Sequence, residues 1–485
     1  MKIQDILISR SVKGWLAFAM VVCLSISCKK TLDINPTPVT LNGANIFTTD
    51  GGLESAVAGM YTKDGNVLNG LSGFSINLAL GADDISAFAN AGGNVINAQF
   101  YANSLSTSQT YFWPLAYNIL YVTNTIAEAL SGSSAGALTP SIKNQLLGEA
   151  KFNRALIYFY LVNLHGDVPL LLKSDYQVNS QATRAPQAEV YKQIVQDLKD
   201  AQGSLPDGAY ANAAAQPATD RVRPNKQAAS ALLARVYLYL KDYANAEAAA
   251  TDVIGKPVYV LEPTLTNTFL KASREIIWQL QQFTTFPANN ADAGSLVVTT
   301  TPGSFNQYPM SNQLIAAFDT VKDKRWINWV GNYTTAATAS VPATTYHFAY
   351  KYKAYVVTAP NTENIVVLRL AEQYLIRAEA RAQQNNLTGA TNDLNVIRSR
   401  AGLVGTTATD KNGLLTAILN ERQLELFTEF GHRWLDLKRT GALDAVMSVV
   451  TPLKGGGAWN PNKQLVPIPS TEIALDPNLT QNPGY

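Results

Sequence analysis

Two carboxylates near the C-terminus, Glu429 and Asp436, give the strongest hint of catalysis in this sequence. They lie in the stretch NERQLELFTEFGHRWLDLKRTG, where Glu421, Glu425 and Glu429 follow one another at steps of four residues. That spacing places the three glutamates on one face of a helix, which the apolar pattern predicts from about Leu414 to Phe430. A pair of carboxylates supplies the acid and base of a glycoside hydrolase, so hydrolysis is one interpretation.

The same stretch also contains the cations that would give those carboxylates a structural role. Arg422, Arg433 and Arg439 lie within it, and Arg398 precedes it in another predicted helix. These arginines predict an ion-pair network, and a buried network of this kind is destabilised when one member is removed. We favour this interpretation over catalysis.

No other group of residues indicates catalysis or metal binding. The histidines, His165, His347 and His432, are not spaced as a metal-binding pair, and His165 in NLHGDVP is predicted to lie in a turn. The chain has no GxSxG motif, no phosphate-binding loop and no dinucleotide fingerprint. The sequence therefore predicts a protein with no catalytic residues, no cofactor and no metal ion.

Aromatic side chains in two irregular segments, residues 81–104 and 262–366, are the better candidates for ligand contact. The chain has 22 Tyr and 7 Trp but only 15% charged residues. Aromatic faces stack on the apolar faces of sugars while amides bond the hydroxyl groups, and long loops in a compact domain commonly serve binding. The predicted ligand-binding residues are Phe88, Tyr101, Phe286, Phe305, Tyr308, Trp329, Tyr333 and Tyr346. For each ring, packing in the core is the alternative.

Charge excludes several classes of partner. The net charge is +2 for the whole chain, and Lys2, Arg10 and Lys13 exceed Asp5 by the same amount in the first 27 residues. The remainder is therefore close to neutral. No basic patch indicates binding to nucleic acid, and no polybasic run indicates binding to anionic lipid.

The N-terminal segment predicts export and lipidation. Basic residues are followed by an apolar run, Gly14–Ser27, that is shorter than the roughly 20 residues a membrane span needs. Residues 1–27 are therefore predicted to be a signal peptide. A cysteine directly after a small residue, as at Cys28, is typical of a bacterial lipoprotein. Acylation of Cys28 would anchor the chain in a bilayer, with residues 28–45 as a polar tether. An ordinary signal peptide followed by an incidental cysteine is the alternative.

Helical periodicity dominates the rest of the chain, over residues of about 108–255 and 365–430. Two segments, Ala229–Ile254 and Arg369–Gly402, share the plan of a tetratricopeptide hairpin, with small alanines where the helices meet. Each such hairpin buries one face on its neighbour, so several are needed for a stable stack. Any alanine-rich helical hairpin has this appearance, and that alternative stays open at this stage.

Several motifs, taken in order, resemble those of the SusD/RagB family. They are GEAKFNRA, GDVP, ALLARVYLYLKDYANA, LRLAEQYLIRAEA, LNVIRSRAGL and the terminal QNPGY, and they follow the cysteine and tether described above. Each motif alone is weak, but their order over nearly the whole chain is specific.

The resemblance implies a mostly α-helical single domain over residues 46–485, with a tetratricopeptide-like scaffold, a loop-rich irregular face and few short strands. It implies no catalysis. It implies a lipoprotein of the outer membrane that captures glycan outside the cell and delivers it to a TonB-dependent transporter. Within the same scaffold, a peptide or another nutrient is the alternative ligand. The matched motifs belong to the scaffold, so they assign no binding residue.

Overall fold

The computed structural model of the protein describes residues 46–64, 73–87, 94–131, 138–282, 289–302 and 307–485. Most of these residues are helical, which confirms the predicted mostly α-helical fold. The helices, α1 to α18 in chain order, are Asp50–Asp64, Gly73–Gly81, Val95–Tyr101, Trp113–Ser131, Pro140–His165, Tyr176–Asn179, Gln187–Ser204, Lys226–Tyr239, Tyr243–Ile254, Ala291–Leu296, Asn312–Ala317, Lys324–Trp329, Leu370–Gln383, Leu387–Arg400, Lys411–Leu426, His432–Thr440, Leu443–Leu453 and Ser470–Leu475. Within the described part of the chain, no helix is long and apolar enough to cross a membrane.

The long helices form a stack in which neighbours along the chain pack together. Helix α5 packs between α4 and α7, α8 follows α7, and α9 joins this group to α13, which packs against α14 and α15. Leu232 and Val236 of α8 and Leu375 of α13 are fully buried, as expected for the inner faces of stacked helical pairs.

The two predicted hairpins, α8–α9 and α13–α14, are present and use the same turn. In each, a residue with a left-handed backbone ends the first helix, Lys241 at φ 59° and Asn385 at φ 62°. The next residue, Asp242 or Asn386, caps the second helix by accepting a hydrogen bond from a backbone N–H three residues later. Short polar side chains favour this capping position because their oxygen satisfies an otherwise unpaired N–H group. The shared turn supports an internal repeat.

Short antiparallel strands supplement the helices. In chain order, β1 to β8 are Val168–Pro169, Arg184–Ala185, Tyr210–Ala211, Pro217–Ala218, Ile276–Leu280, Val330–Thr334, Thr345–Ala349 and Ile365–Arg369. They pair as β1–β2, β3–β4, β5–β8 and β6–β7. Strand β8 is fully buried and continues directly into α13, so its last residue, Arg369, lies inside the core.

One helical prediction is wrong at its end. The helix predicted to reach Phe430 stops at Leu426, and a separate helix begins at His432. Between them, Thr428, Phe430 and Gly431 all have positive φ angles, which a right-handed helix cannot accommodate. At Gly431 an added Cβ would lie 2.2 Å from a side-chain carbon of Leu78, so the turn also requires the missing side chain.

The C-terminal QNPGY motif binds the end of α5 through hydrogen bonds. Asn482 donates hydrogen bonds to the carbonyls of His165 and Val466, both at 2.9 Å, and accepts one from Arg184 at 2.6 Å. His165 ends helix α5 rather than lying in the turn, which begins at Gly166 with φ 78°. Its ring is buried edge-on against Trp113, and burial lowers its pKa to about 3. His165 is therefore a neutral core residue.

Candidate functional site

The two irregular segments predicted to bind a ligand lie side by side. The Ser86 N–H donates to the Pro309 carbonyl at 2.8 Å, and the Ser311 N–H donates to the Asp84 carbonyl at 2.9 Å. Ile85 pairs with Met310 in an isolated antiparallel bridge between these two contacts. The chain thus brings together residues that are more than two hundred positions apart in sequence.

Helix α3 lies against the same junction. Asn94 caps this helix, and one turn later Asn97 donates a hydrogen bond to the Tyr308 hydroxyl at 2.6 Å. Tyr101 ends this helix, and burial raises the pKa of its hydroxyl. The Tyr101 ring is partly exposed, whereas that of Tyr308 is only 1% exposed.

A β-hairpin, β6–β7, completes the surface. The Met310 N–H donates to the His347 carbonyl at 2.8 Å, which joins the hairpin to the junction. Tyr333 and Tyr346 stand directly opposite each other in its register, and both are partly exposed. Directly opposed residues of an antiparallel pair share one face, so the two rings lie on the same side of the hairpin. We call the surface formed by residues 84–87, α3, residues 307–311 and this hairpin the candidate face.

A glycine shapes the base of the hairpin. Phe348 lies across the strand from Gly331, and a Cβ added to Gly331 would stand 2.4 Å from the Phe348 ring. Only glycine leaves room for that ring to fold over the opposite strand. Phe348 is therefore buried while Tyr346, two residues before it on the same face, remains accessible.

The structure removes two predicted residues from the candidates, because neither has a ring face that a ligand can reach. Trp329 is fully buried, and its indole N–H donates to the Leu265 carbonyl at 2.8 Å. Its position on α12 follows from helical spacing, since Arg325 and Trp329 are one turn apart and both face the core. The Tyr308 ring is 1% exposed and packs in the hydrophobic core.

Trp326 was not among the rings predicted to bind a ligand. It lies one turn before Trp329 on the same helix. Its ring is partly exposed and packs against His347, with 4.9 Å between ring centroids. Residues three apart are neighbours on a helix surface, so helical spacing does not say which of the two tryptophan rings is covered. The described part of the candidate face therefore presents the rings of Tyr101, Tyr333 and Tyr346, and Trp326 lies beside the hairpin through its contact with His347.

Three other predicted rings, Phe88, Phe286 and Phe305, lie outside the described residues, as does the predicted lipidation site Cys28. Their assignment stays a prediction. No cluster of His, Cys, Asp and Glu in the described ranges is arranged to hold a metal ion.

The candidate hydrolase carboxylates are held in separate buried ion pairs. Glu429 contacts Lys351 at 2.5 Å and Arg369 at 2.7 Å, while Asp436 contacts Arg422 at 2.7 Å and Arg439 at 2.8 Å. Burial alone would raise the pKa of Asp436, but the two arginines outweigh it and hold that pKa below its ordinary value. A general acid of a glycosidase needs a raised pKa, so Asp436 does not suit that role.

The predicted ion-pair network is confirmed, with one partner corrected. Arg398 contacts Glu421 at 2.9 Å, and Arg422 and Arg439 share Asp436. Arg433 instead binds Asp83 through two hydrogen bonds of 2.7 Å. Residues far apart in the chain make that pair, so helical spacing could not have revealed it. The pair connects α16 to the residue that directly precedes the candidate face.

Comparisons with known proteins give one consistent result. A sequence model described as the SusD family matches residues 187–485, and one described as "Starch-binding associating with outer membrane" matches residues 78–238. The chain is 25% identical to SusD-like protein P25 of Formosa agariphila, over 100% of both chains.

Solved structures share the fold. A SusD superfamily protein from Bacteroides vulgatus superposes with a TM-score of 0.75 at 22% identity, over 90% of this chain and 99% of that one. A structure described as a laminarin-binding SusD-like protein has a TM-score of 0.72 at 24% identity, over 89% of this chain and 99% of that one.

Proposed function

The chain belongs to the SusD family, and on that premise we propose that it is a non-catalytic lipoprotein that binds extracellular oligosaccharide or polysaccharide and delivers it to a TonB-dependent transporter. The observation that carries the proposal is the candidate face. Tyr333 and Tyr346 present partly exposed rings on one side of a hairpin that is joined to the other predicted binding segment. Exposed rings beside neutral polar groups suit the alternating apolar and hydroxyl surfaces of a sugar.

The polar groups around these rings are mostly uncharged. Thr335 and Thr344 lie two residues from the tyrosines on the same side of the hairpin, and their hydroxyl groups can both donate and accept hydrogen bonds. A neutral glycan is favoured over a phosphorylated or strongly anionic ligand for this reason. The laminarin-binding relative supports the same ligand class.

A peptide is the alternative ligand for the same surface, because aromatic rings and amides also bind peptide backbones and apolar side chains. Glycoside hydrolysis is the less favoured alternative, since both candidate carboxylates are buried and neutralised by two cations each. The two alternatives differ in outcome, because a peptide ligand leaves glycans unbound and a hydrolase turns them over.

The proposed location is the outer membrane, with the chain held by acylated Cys28 and the candidate face directed to the cell exterior. The match to a family described as associating with the outer membrane supports this location. The apolar segment before Cys28 and the polar tether after it support a lipid anchor.

Glycan-array screening of the purified full-length chain, followed by calorimetry with the glycans that bind, tests the function. We expect Tyr333→Ala and Tyr346→Ala each to weaken glycan binding by about two- to tenfold, since one ring contact contributes roughly 0.5–1.5 kcal/mol. The matched control is Tyr121→Ala, which removes a 54% exposed tyrosine from α4 in the scaffold. Binding to peptides alone would refute the glycan assignment, and release of shortened glycan would refute the absence of catalysis.

A further inference from the structure

A lysine from the C-terminal region reaches the base of the candidate face. Lys454 follows helix α17, and its ammonium group donates hydrogen bonds to the carbonyls of Leu80 at 2.7 Å and Gly81 at 3.1 Å, and to that of Ala82. These carbonyls end helix α2, where the last turn of a helix leaves its acceptors without partners. A cation at this end also interacts favourably with the helix dipole.

The Lys454 side chain is held in place by its own loop. Gly456 packs so closely on the end of α3 that an added Cβ would lie 2.1 Å from the Ala102 carbonyl oxygen. Beside it, the Thr451 hydroxyl is hydrogen-bonded to Asn103 at 2.9 Å. The loop is thus docked on α3 while its lysine reaches α2, so it connects the two helices that flank the face.

The chain that leaves α2 forms the floor of the candidate face. Directly after Ala82, Asp83 is bound by Arg433, and its carbonyl accepts a hydrogen bond from the Ser311 hydroxyl. Residues 84–86 then make the backbone contacts with residues 309–311 described above. The Lys454 ammonium also lies 5.4 Å from the centre of the Tyr101 ring, within the range of a cation–π contact.

We propose that Lys454 is a positioning residue for carbohydrate binding, because its ammonium fixes the end of α2 and with it residues 82–87 and the Tyr101 ring in the geometry that receives the glycan. This inference rests on the proposed function. Lys454 itself makes no direct contact with the glycan in this proposal. It acts through the floor of the face and through the ring that it supports.

The charges around Lys454 make the contact sensitive to pH near neutrality. Burial lowers the pKa of Lys454 to about 7, and the carboxylates of Asp83 and Asp84 partly oppose that change. Asp83 is paired with Arg433, and burial together with Asp83 raises the pKa of Asp84 to about 7. The charged ammonium is the form that holds the three carbonyls, so affinity is present below the pKa of Lys454 and decreases as the pH rises through it.

The test compares the full-length chain with Lys454→Met, which keeps the length of the side chain and removes the ammonium. We expect Lys454→Met to raise the Kd for a bound glycan by about tenfold at about pH 6, equivalent to ~1.4 kcal/mol. Lys463→Met is the matched control, because Lys463 also contacts a tyrosine ring, that of Tyr485 at 3.6 Å, and a backbone carbonyl, that of Gly484 at 3.5 Å. It lies outside the candidate face and should leave the Kd within about twofold of the wild-type value.

A pH profile separates positioning from a loss of stability. Between about pH 6 and pH 8.5 the wild-type affinity should fall more steeply than that of Lys454→Met, because Asp84 titrates in both proteins and Lys454 in only one. Equal Kd values for the wild type and Lys454→Met would overturn the inference. A wild-type Kd that does not change between these pH values would also overturn it, and this measurement does not require the variant to fold. A wild-type chain that binds no glycan at all would overturn the proposed function as well.

Discussion

Arg369 provides the sharpest test of how the core is held together. Its five N–H groups all donate hydrogen bonds, to the carboxylates of Glu275, Glu425 and Glu429 and to the Glu425 carbonyl, at distances from 2.6 to 3.0 Å. The side chain is only 2% exposed. Replacing it with methionine fills similar space and leaves three buried carboxylates without one of their cations.

The size of the expected loss of stability depends on which cations each carboxylate retains. Removing one partner of a buried ion pair typically costs about 3–5 kcal/mol. Glu275 retains Arg400, and Glu429 retains Lys351, so the loss should lie near the lower end of that range. For the compact unit Phe47–Tyr485, of about 440 residues, an unfolding entropy of ~2.1 cal/mol/K per residue converts ~3 kcal/mol into a decrease of about 3 °C in Tm.

Thermal and urea denaturation followed by circular dichroism would measure the effect of Arg369→Met. The charge-matched control is Lys226→Met, whose lysine pairs with Asp207 at an exposed site and should contribute less than about 1 kcal/mol. Added salt should change the control but not Arg369→Met, because buried pairs are poorly screened. If both variants lost the same small amount of stability, the reasoning about the buried network would be refuted.

Two further predictions concern other parts of the chain. Burial raises the pKa of Asp292 to about 7, so the folded chain keeps a proton that the unfolded chain releases, and stability should fall as the pH rises from about 4 to about 7. Asp292→Asn should reduce that slope in urea denaturation and be more stable at pH 8 by at least ~1.4 kcal/mol, the equivalent of one pKa unit; an unchanged slope would contradict the assignment. Cys28→Ala should move the protein from the membrane fraction to the soluble fraction, whereas Cys23→Ala should not, and retention of Cys28→Ala would refute lipidation.

The hairpins of the scaffold were predictable because their information is local. Apolar residues at helical spacing define the faces of α8, α9, α13 and α14, and short polar residues such as Asp242 and Asn386 mark where the second helices begin. The family motifs and the predicted signal peptide before Cys28 are likewise contained in short segments of the sequence. The break between α15 and α16 was missed because periodicity alone does not register a run of left-handed residues.

The sequence by itself determined the helical class and the paired helices, and it singled out two irregular segments with aromatic residues as candidates for binding. It also predicts an export segment before Cys28. Only the tertiary structure decided which of the aromatic rings are accessible, and it buried Trp329 while leaving Trp326 at the surface. It also paired Arg433 with Asp83, 350 residues away in sequence. The physical reason is that exposure and ion pairing depend on what packs against a side chain, and those neighbours come from distant parts of the chain.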